Sequence, residues 1–598
     1  MKLHSLKISG YKRLKEIEVL FGDATFLIGQ NNCGKSSVIK AIEILLSGKK
    51  QLFPSEYHSI IDPETNENKA DTNVIILEAE FRNLPEEANT WRGFKGRIFN
   101  YRIPDDSQET GLSIIYRKTY ELGKDVIIEL KSKVRTIKED YAECKKPRDY
   151  IEKGLAENLF IELFPDLDTN IGKPKQILLE QIDEIWQISD EETWFQNPGG
   201  ISGNVLKMLP RFLLIPVDVG IQEIQGSGQG VLSKTLSELF ETVRETSDNF
   251  EKAQTHLKEL EKELNPNDEN SEFGKMMKDL NKVLSSVFPE SKLYANTILS
   301  EPTSLKPSFN IEMSSNIKTS VDNQGTGMIR AAVFGMLRFR QMWLSKKEDE
   351  QTRSLIICFE EPETYLHPSA ANQMRDAIYE LSSQSSQIIA STHSPYIIDI
   401  SRKPKQVLNR LYSCGNHVDC NTFSVSEKFK ELQANERDYV KMILKIDNYI
   451  SRIFFTKYVV VIEGDTEDIL IKETLKRLES NKYLKILSDF EIIKARGKAA
   501  IISLVKYLTS MGINPIVVHD RDANVPHANI FNQPIVNALN GKGKIVIMEN
   551  NVEEELGYQA TYEKPYHAYK KTEEWGHNWE DIPLNWRNKM IEIFESYI

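Results

Sequence analysis

The sequence of 598 residues predicts an α/β protein with more than one domain. A short apolar run, 25–29, enters a Gly-rich loop and then a stretch with helical spacing, 36–46. Two later apolar runs, 458–462 and 516–519, each stop at carboxylates, as strands do when a parallel sheet presents acids at its carboxyl edge. Strand-like and helix-like segments also alternate throughout the C-terminal part, which is the pattern of a parallel sheet.

Length and composition narrow the class of protein. A chain of this length is too long to fold around a single hydrophobic core, so two to four domains are expected. The net charge of −12 argues only weakly against a nucleic-acid partner, because acids clustered at metal sites count toward it while basic residues can line one groove. The five scattered cysteines lack the pattern of a disulfide framework. With no bilayer-length apolar stretch and no signal-peptide block, we expect a cytoplasmic protein without a membrane partner.

The elements of the first two thirds follow from periodicity. Residues 1–48 predict strand, turn, strand, loop and helix, and three strand-like runs then predict an antiparallel sheet: 73–81, 112–122 and 125–135. In a mixed region, Ile177–Ile188 has helical spacing. Residues 222–291 are helical in pattern, with a leucine stripe suited to helix pairing or to packing on its own domain. Residues 355–400 again predict strand, helix and strand.

The Gly-rich loop has the spacing of a P-loop. Its sequence, Gly29-Gln-Asn-Asn-Cys-Gly34-Lys35-Ser36, fits G-x-x-x-x-G-K-[ST] between a strand and a helix. Glycines let backbone N–H groups face phosphate oxygens, and the helix N-terminus adds a positive dipole end. Lys35 is expected to reach the β- and γ-phosphates and Ser36 to hold Mg²⁺. The candidate ATP-binding residues of the loop are Gly29, Asn31, Gly34, Lys35, Ser36 and Ser37.

Three further segments complete the predicted ATPase site. An apolar strand ends at Glu360, which suits a Mg²⁺-side ligand, and Glu361, which suits a base that orients the attacking water. Another strand runs to His393, a polar residue placed like a switch. Gly325 and Gly327 open a helix, and their backbone suits a phosphate carried by a second subunit.

Acids at the C-terminal strand ends predict a separate metal site. Glu463 ends one strand, Gly464 permits a tight turn, and Glu467 falls on the same face of the next helical turn. Asp520 and Asp522 end the second strand. Four carboxylates at one sheet edge repel one another unless cations intervene. Two divalent ions there could activate water and stabilise the leaving oxygen in phosphodiester cleavage.

Residues farther along the chain could join the metal site. Glu553 offers another acid, and Lys564 offers a cation that could stabilise negative charge on a scissile phosphate. Lys570 and Lys571 compete with Lys564 for that role.

One short cysteine-containing segment admits two interpretations. Cys414, His417 and Cys420 could be zinc ligands, but no fourth ligand is near and the spacing is tighter than in paired C-x₂-C sites. We interpret the segment as a hairpin turn between strand-like runs at 410–413 and 421–425.

The first group of motifs resembles the ATP-binding-cassette ATPases, particularly their chromosome-maintenance-like branch. The resemblance places Gly325 and Gly327 in the signature loop and makes Glu361 the catalytic glutamate and His393 the γ-phosphate sensor. Such ATPases sandwich two nucleotides between two heads, which implies a dimer. Glu360 departs from the more usual aspartate, a change that bears on the rate of turnover more than on nucleotide binding.

The second group resembles the TOPRIM fold of topoisomerases, primases and certain nucleases, and Arg496-Gly497-Lys498 fits its intervening glycine turn. A cassette head followed by TOPRIM resembles the overcoming-lysogenization-defect (OLD) family of nucleases. That resemblance implies DNA nicking or cleavage with Mg²⁺ or Mn²⁺, regulated by ATP, in a homodimer or a larger oligomer such as a tetramer. It divides the chain into a head, a helical dimerisation insert, the rest of the head and a TOPRIM domain: 1–220, 221–291, 292–430 and 431–598.

The expected roles form three sets. The catalytic set is Glu361, His393, Glu463, Asp520, Asp522 and Lys564. The nucleotide set adds Gly325, Gly327 and Glu360 to the P-loop residues. The metal ligands are Ser36, Glu360, Glu463, Glu467, Asp520, Asp522 and Glu553.

Several functions stay open at this point. The first is an ATP-regulated DNA endonuclease of antiviral defence. The others are a repair ATPase whose TOPRIM domain does not cleave, and a sensor or scaffold subunit that restrains a partner effector. Family members occur alone or beside partners such as a helicase-like protein or a retron, and RNA is not distinguished from DNA as substrate.

Overall fold

The computed structural model covers both predicted halves of the chain. It describes residues 1–61, 68–91, 93–103, 106–161, 163–164, 166–172, 178–179, 182–198, 202–217, 235–237, 239, 271–287, 291–298, 308–314, 318–320, 325–345, 353–364, 366–382, 386–402, 404–425, 428, 431–446, 450–559 and 562–598. Most of the predicted insert at 221–291, including its leucine stripe, lies outside the described residues.

Strands and helices are numbered along the chain. The strands are β1 (Lys2–Tyr11), β2 (Leu14–Leu20), β3 (Ala24–Ile28), β4 (Ser59–Ile61), β5 (Asn68–Ala70), β6 (Val74–Leu84), β7 (Phe99–Ile103), β8 (Asp106–Glu121), β9 (Ile127–Ile137), β10 (Trp186–Gln196), β11 (Arg211–Ile215), β12 (Lys292–Ile298), β13 (Ser308–Ser314), β14 (Lys318–Ser320), β15 (Leu355–Glu360), β16 (Ser386–Ser391), β17 (Gln406–Cys414), β18 (His417–Phe423), β19 (Tyr458–Ile462), β20 (Phe490–Lys494), β21 (Ile516–Asp520) and β22 (Lys544–Met548). The helices are α1 (Lys35–Leu46), α2 (Pro147–Glu152), α3 (Asn158–Ile161), α4 (Ser202–Met208), α5 (Glu272–Val287), α6 (Thr326–Ser345), α7 (Pro368–Leu381), α8 (Ala434–Ile446), α9 (Asp465–Leu475), α10 (Ser480–Asp489), α11 (Lys498–Ser510), α12 (Pro526–Asn529), α13 (Asn532–Leu539), α14 (Val552–Glu555), α15 (Lys564–Glu573) and α16 (Leu584–Phe594). Within the described residues, none of these helices is both long enough and apolar enough to cross a membrane.

An antiparallel sheet forms the first layer, in the strand order β10-β9-β8-β6-β1-β2, with β7 beside β8. Its strands β6, β8 and β9 confirm the three strand-like runs predicted before residue 136. The helical prediction for Ile177–Ile188 is wrong at its end, because β10 begins at Trp186 and pairs with β9. Ladder hydrogen bonds to a neighbouring strand outweigh a local helical spacing.

A parallel sheet carries the P-loop. Its order is β11-β15-β16-β3-β17-β18, with the last strand antiparallel. All five residues of β3 are buried, as expected for a central strand covered on both faces. Helix α1 packs on one face through residues such as Val38 and Ile42, and helices α5, α6 and α7 contribute to the core on the other face.

A second parallel sheet lies in the C-terminal part, in the order β20-β19-β21-β22. Helix α11 contributes to the core on one face, and helices α9 and α16 to the core on the other. Trp586 of α16 is fully buried and donates from Nε1 to Thr474 Oγ1 at 2.7 Å. This tryptophan therefore packs the terminal helix against α9.

The two parallel sheets share one apolar core. Phe423, at the end of β18, and Phe454, just before β19, have ring centroids 5.2 Å apart. The buried set that contains them runs from the P-loop strand to the face of β19 covered by α11. Packed side chains therefore join the two sheets.

Candidate nucleotide and metal sites

Lys35 closes the P-loop on itself. It is the first residue of α1, and its Nζ donates to the carbonyl oxygens of Gly29 at 3.0 Å and Gln30 at 2.8 Å. Burial lowers the pKa of Lys35 from its ordinary value. The ammonium is thus positioned inside the loop, where a nucleotide phosphate could replace the carbonyl acceptors.

Two glycines of the loop tolerate no side chain. Gly29 has φ +142°, and a Cβ there would lie 2.2 Å from the carbonyl oxygen of Leu411. Gly34 has φ +93°, and a Cβ there would lie 2.8 Å from Leu14 Cδ2. The loop is therefore built against the β17–β18 hairpin and β2. Three of its predicted ligands lie at the rim, exposed or half-buried: Asn31, Ser36 and Ser37.

The predicted catalytic pair of the ATPase lies at the carboxyl edge of the same sheet. Glu361 follows Glu360, the last residue of β15, and its backbone N–H donates to Ser391 O at 2.9 Å. Its Oε1 is 3.5 Å from His393 Nε2. Burial, followed by the charge of Lys35, lowers the pKa of His393. The structure thus brings the glutamate, the histidine and the P-loop lysine within electrostatic reach of one another.

Glu363 is a residue to which the sequence assigned no role. Its Oε1 accepts from Thr392 Oγ1 and from the backbone N–H groups of His393 at 3.1 Å and Ser394 at 3.2 Å. Burial raises the pKa of Glu363. This carboxyl group therefore fixes the turn that carries the histidine. The acidic run after β15 was the available signal, but only the fold shows which acid faces this turn.

Helix α6 connects the predicted signature loop to the catalytic segment. Gly325 is exposed, and a Cβ there would meet no atom of the described residues within 4 Å, whereas Gly327 is half-buried near the start of the helix. Arg330, buried in the same helix, donates from Nη1 to Glu361 O at 3.0 Å and Thr364 O at 2.8 Å. The sequence did not single out this arginine. Its hydrogen bonds connect the exposed glycine end to the backbone of Glu361, the predicted catalytic glutamate.

The C-terminal acids converge from neighbouring strands. Glu463 directly follows β19, and Asp520 ends β21, which pairs with β19. Glu467, buried in the first turn of α9, accepts from the backbone N–H of Gly464 at 3.0 Å. Asp522 adopts a left-handed conformation with φ +51° just past β21. The four carboxylates predicted to meet at the C-terminal strand ends therefore lie at one sheet edge.

Burial makes three of these carboxylates, those of Glu463, Glu467 and Asp520, hard to ionise. Burial, then the charges of neighbouring acids, raises the pKa of Glu463 to about 7 and of Asp520 to about 8. Burial also raises the pKa of Glu467. Glu463 Oε2 and Asp520 Oδ1 are buried and, among the described residues, have no hydrogen-bond partner. Buried acceptor oxygens without a donor suit a divalent cation, so these residues fit Mg²⁺ or Mn²⁺.

The structure separates the three competing lysines. Lys564 Nζ lies 2.8 Å from Glu553 Oε1. Burial opposes a charge on Lys564, yet its hydrogen bond to Glu553 and the nearby acids raise its pKa. Lys570 instead pairs with Glu573, and Lys571 pairs with Glu574, each an acid three residues further along the chain. Of the three, Lys564 is the lysine beside the acids.

Two polar residues of this site carried no predicted role. Lys498, 4% exposed, donates from Nζ to Asp522 Oδ2 and, at 3.3 Å, to Asn532 Oδ1. Burial, then the charges of Glu553 and Glu467, raises the pKa of Tyr558. Its hydroxyl is buried without a partner among the described residues. The glycine turn before Lys498 was a signal for that residue, whereas Tyr558 had none.

A cleft of about 730 Å³ runs along α9 and the edge strand β20. Arg496, one of its lining residues, donates from Nη1 to Asp465 Oδ2 at 2.7 Å, two residues after Glu463. The cleft therefore lies beside the segment that follows Glu463, although none of the acids of the metal site lines it. Its basic and tyrosine lining residues are Arg452, Lys472, Lys476, Lys494, Arg496, Tyr483 and Tyr569.

Comparison with protein families agrees with this architecture. The model of an AAA ATPase domain matches residues 1–398, two thirds of the chain. The chain belongs to this ATPase family. A second model, the overcoming lysogenization defect protein-like TOPRIM domain, matches residues 454–522. The chain thus combines an AAA ATPase domain with an OLD-like TOPRIM domain, and the predicted fold class of an ATPase head followed by TOPRIM is confirmed.

Curated relatives of this chain are nucleases by name. It is 22% identical to the Old nuclease of Escherichia phage P2 over 532 residues, covering 87% of this chain and 77% of the relative. It is 21% identical to endonuclease GajA of Bacillus cereus strain VD045, covering 87% and 75%. The OLD nuclease of Thermus scotoductus is 29% identical over 203 residues, covering 34% and 36%.

Solved structures include a distant likeness. An SmcHead bound to the C-winged helix domain of ScpA matches 71% of this chain and 99% of that chain, at 13% identity and a TM-score of 0.37. The roles of single residues and the domain limits are untouched by these comparisons and stay predictions.

Proposed function

We propose that this chain is an ATP-binding and ATP-hydrolysing, divalent-metal-dependent DNA endonuclease whose cleavage is regulated by nucleotide. The observation that carries the proposal is the set of buried carboxylates with unpartnered oxygens, among the described residues, at the ends of β19 and β21. An acidic cluster this costly to bury suits a cation-binding site. The names of the curated relatives support nuclease activity and, for GajA, internal cleavage. The antiviral role belongs to the same proposal and is supported by the family resemblance alone.

The roles in the cleavage site follow from position. Glu463, Glu467, Asp520 and Asp522 would hold one or two divalent ions, with Glu553 at the margin. Such an ion, when bound, lowers the pKa of an attacking water and stabilises negative charge on the phosphate. Each acid must lose its proton before it can bind a cation. Lys564 lies on the solvent side, 49% exposed, where it can contact a scissile phosphate.

The ATPase roles follow in the same way. Lys35 and the loop backbone would bind the phosphates, with Ser36 and Glu360 toward Mg²⁺. Glu361 would orient the attacking water, and His393 would sense the γ-phosphate. The exposed glycine end of α6, Gly325 and Gly327, would face the nucleotide of a second subunit, which makes the active form a dimer or a larger oligomer.

Domain limits and substrate path complete the proposal. We place the head at 1–220 and 292–430, the helical insert at 221–291 and TOPRIM at 431–598. Contacts between α8 and α11 support assigning α8 to the TOPRIM side. The cleft beside β20, lined by five basic and three acidic side chains, would take the DNA backbone through its lysines and arginines, since such contacts to phosphate supply most sequence-independent affinity.

The deciding experiment is nicking of a supercoiled plasmid by the purified chain with Mg²⁺ or Mn²⁺. We expect Asp520→Ala to lower the nicking rate at least 100-fold, because it removes a buried ligand oxygen, while ATP binding is kept. Glu574→Ala, an exposed acid in the same domain, is the matched control. A folded chain inactive with both metals, but active as an ATPase, would favour the non-cleaving repair ATPase. RNA of the same sequence, assayed in parallel, decides between the two nucleic acids.

A further inference from the structure

We propose that the tip of the β17–β18 hairpin binds a transition-metal ion of the zinc class through Cys414, His417 and Asp419. One potential ligand atom from each of these residues lies within 4.8 Å of the other two. His417 Nε2 and Asp419 Oδ1 are 3.7 Å apart. This site lies in the head and is separate from the carboxylates of the TOPRIM sheet, so it does not depend on the proposed nuclease activity.

The hairpin register explains why these side chains meet. Cys414 lies directly opposite His417 across the antiparallel pair, and Tyr412 lies opposite Asp419. Opposed residues, and residues two apart on one strand, share a face of the sheet. The turn between the strands is Gly415-Asn416, and Gly415 has φ +58°. The three ligands are therefore held on one side of a short, well-defined turn.

The other face of the hairpin is turned inward. Leu411 and Val418 are buried in the core that packs beneath the P-loop. Cys420 pairs with Leu411 on that face, and its Sγ is 3.8 Å from Asn409 Oδ1. Cys420 is therefore not the third ligand that the sequence offered. The hairpin prediction is confirmed with a tighter turn, and the donor set becomes one cysteine, one histidine and one aspartate.

This donor set favours zinc over the ions expected elsewhere in the chain. A thiolate and an imidazole are ligands that Zn²⁺ prefers, whereas Mg²⁺ takes oxygen ligands. Cys414 is exposed, and His417 and Asp419 are each about 40% exposed, with side-chain values of 42% and 41%. An ion can thus enter without unfolding. Three protein ligands leave a fourth position of a tetrahedral site for water or for an incoming group.

The position of the site gives it a consequence for nucleotide binding. Strand β17 pairs with β3, the strand that enters the P-loop. Val418, between His417 and Asp419 in sequence, lies 3.8 Å from the position of a Cβ on Gly34. A bound ion would therefore fix the relative positions of β17 and β18, the two strands that pack beside the P-loop.

Cobalt substitution tests the site in the full chain. A thiolate bound to Co²⁺ gives a charge-transfer absorption that carboxylate ligands do not give. Co²⁺ bound at the TOPRIM acids therefore does not contribute to this band. We expect this band to saturate at one Co²⁺ per chain in reduced protein and to disappear when Zn²⁺ is added. His417→Ala should weaken Zn²⁺ binding at least tenfold.

Two cysteine variants decide the assignment. Cys414→Ser should abolish the band, whereas Cys420→Ser, which changes the cysteine on the opposite face of the same hairpin, should keep it. Circular dichroism establishes that each variant is folded. A folded wild-type chain without the band, or a band that survives Cys414→Ser, overturns the proposal.

Discussion

At the scale of single residues, Glu463 and Asp520 make the metal-free protein sensitive to pH. Their pKa values rise to about 7 and about 8, above the ordinary values of 4.5 and 3.8. Between those limits the folded state binds more protons than the unfolded state, so the free energy of unfolding falls as pH increases. The stabilising contribution is complete below pH ~4 and is lost by pH ~8.

We therefore predict that, in EDTA, the Tm decreases from pH 6 to pH 8.5 and that Asp520→Asn reduces this decrease. Added Mg²⁺ should raise the Tm more at pH 8.5 than at pH 6, because protons compete for the same oxygens. Thermal unfolding followed by fluorescence measures both effects. A metal-free Tm that rises over this interval, or an unchanged slope in the variant, contradicts the assignment.

Lys498 is a residue whose contact with the acidic site only the fold reveals. Its ammonium is buried against Asp522, so removing it leaves that carboxylate without its fixed partner. We predict that Lys498→Ala lowers the nicking rate about 10- to 100-fold, as is typical for loss of a group that orients a ligand. The Mg²⁺ concentration for half-maximal rate should not rise, because the site becomes more negative. Lys570→Ala, which removes an exposed ion pair, is the control.

At the scale of elements, the fit between the P-loop and the β17–β18 hairpin predicts a strict glycine requirement. Gly29→Ala would place a Cβ 2.2 Å from Leu411 O at a φ of +142°, so the loop must move. We predict at least a tenfold loss of ATP affinity, measured by titration with a fluorescent ATP analogue. Gly48→Ala, just after α1, should bind normally because its Cβ would meet no described atom within 4 Å. Equal affinity in the two variants would count against the loop assignment.

Sequence patterns located the elements because their signals are local. Strands that end in acids and a P-loop between strand and helix specify positions such as Lys35 and Glu463 directly. Partners that meet through the fold left no such signal. Lys498 and Asp522 are far apart in sequence, and their contact depends on how α11 packs on its sheet. The strand at Trp186 was missed because its pairing with β9 decides the conformation.

At the scale of the whole molecule, the ATPase head is hydrogen-bonded to the segment that leads into the TOPRIM sheet. Ser451 Oγ donates to Pro395 O at 2.7 Å, and Arg410 Nη1 donates to Thr456 O at 2.7 Å. Pro395 lies two residues after His393, the expected γ-phosphate sensor. The link between nucleotide and cleavage is thus expected to pass through this short contact.

We predict that Ser451→Ala reduces the ratio of nicking rates with and without ATP about fivefold, matching a hydrogen bond worth ~1 kcal/mol. ATP hydrolysis and the lower of the two nicking rates should be nearly unchanged. Ser480→Ala, at an exposed serine of the TOPRIM side, is the control. A variant in which both nicking rates fall equally would show that the contact stabilises the fold without coupling the sites.

The contact at Pro395 also determines where this chain can be joined to the TOPRIM domain of a relative in a chimera. The two halves look separable in sequence, yet residues 450–456 form bonds and ring contacts with the head that precedes them. A chimera joined at residue 431 would pair this head with a foreign segment and lose those contacts. A junction placed after residue 456 keeps these contacts. The nucleotide bound to this head would then regulate cleavage by a TOPRIM domain taken from a relative.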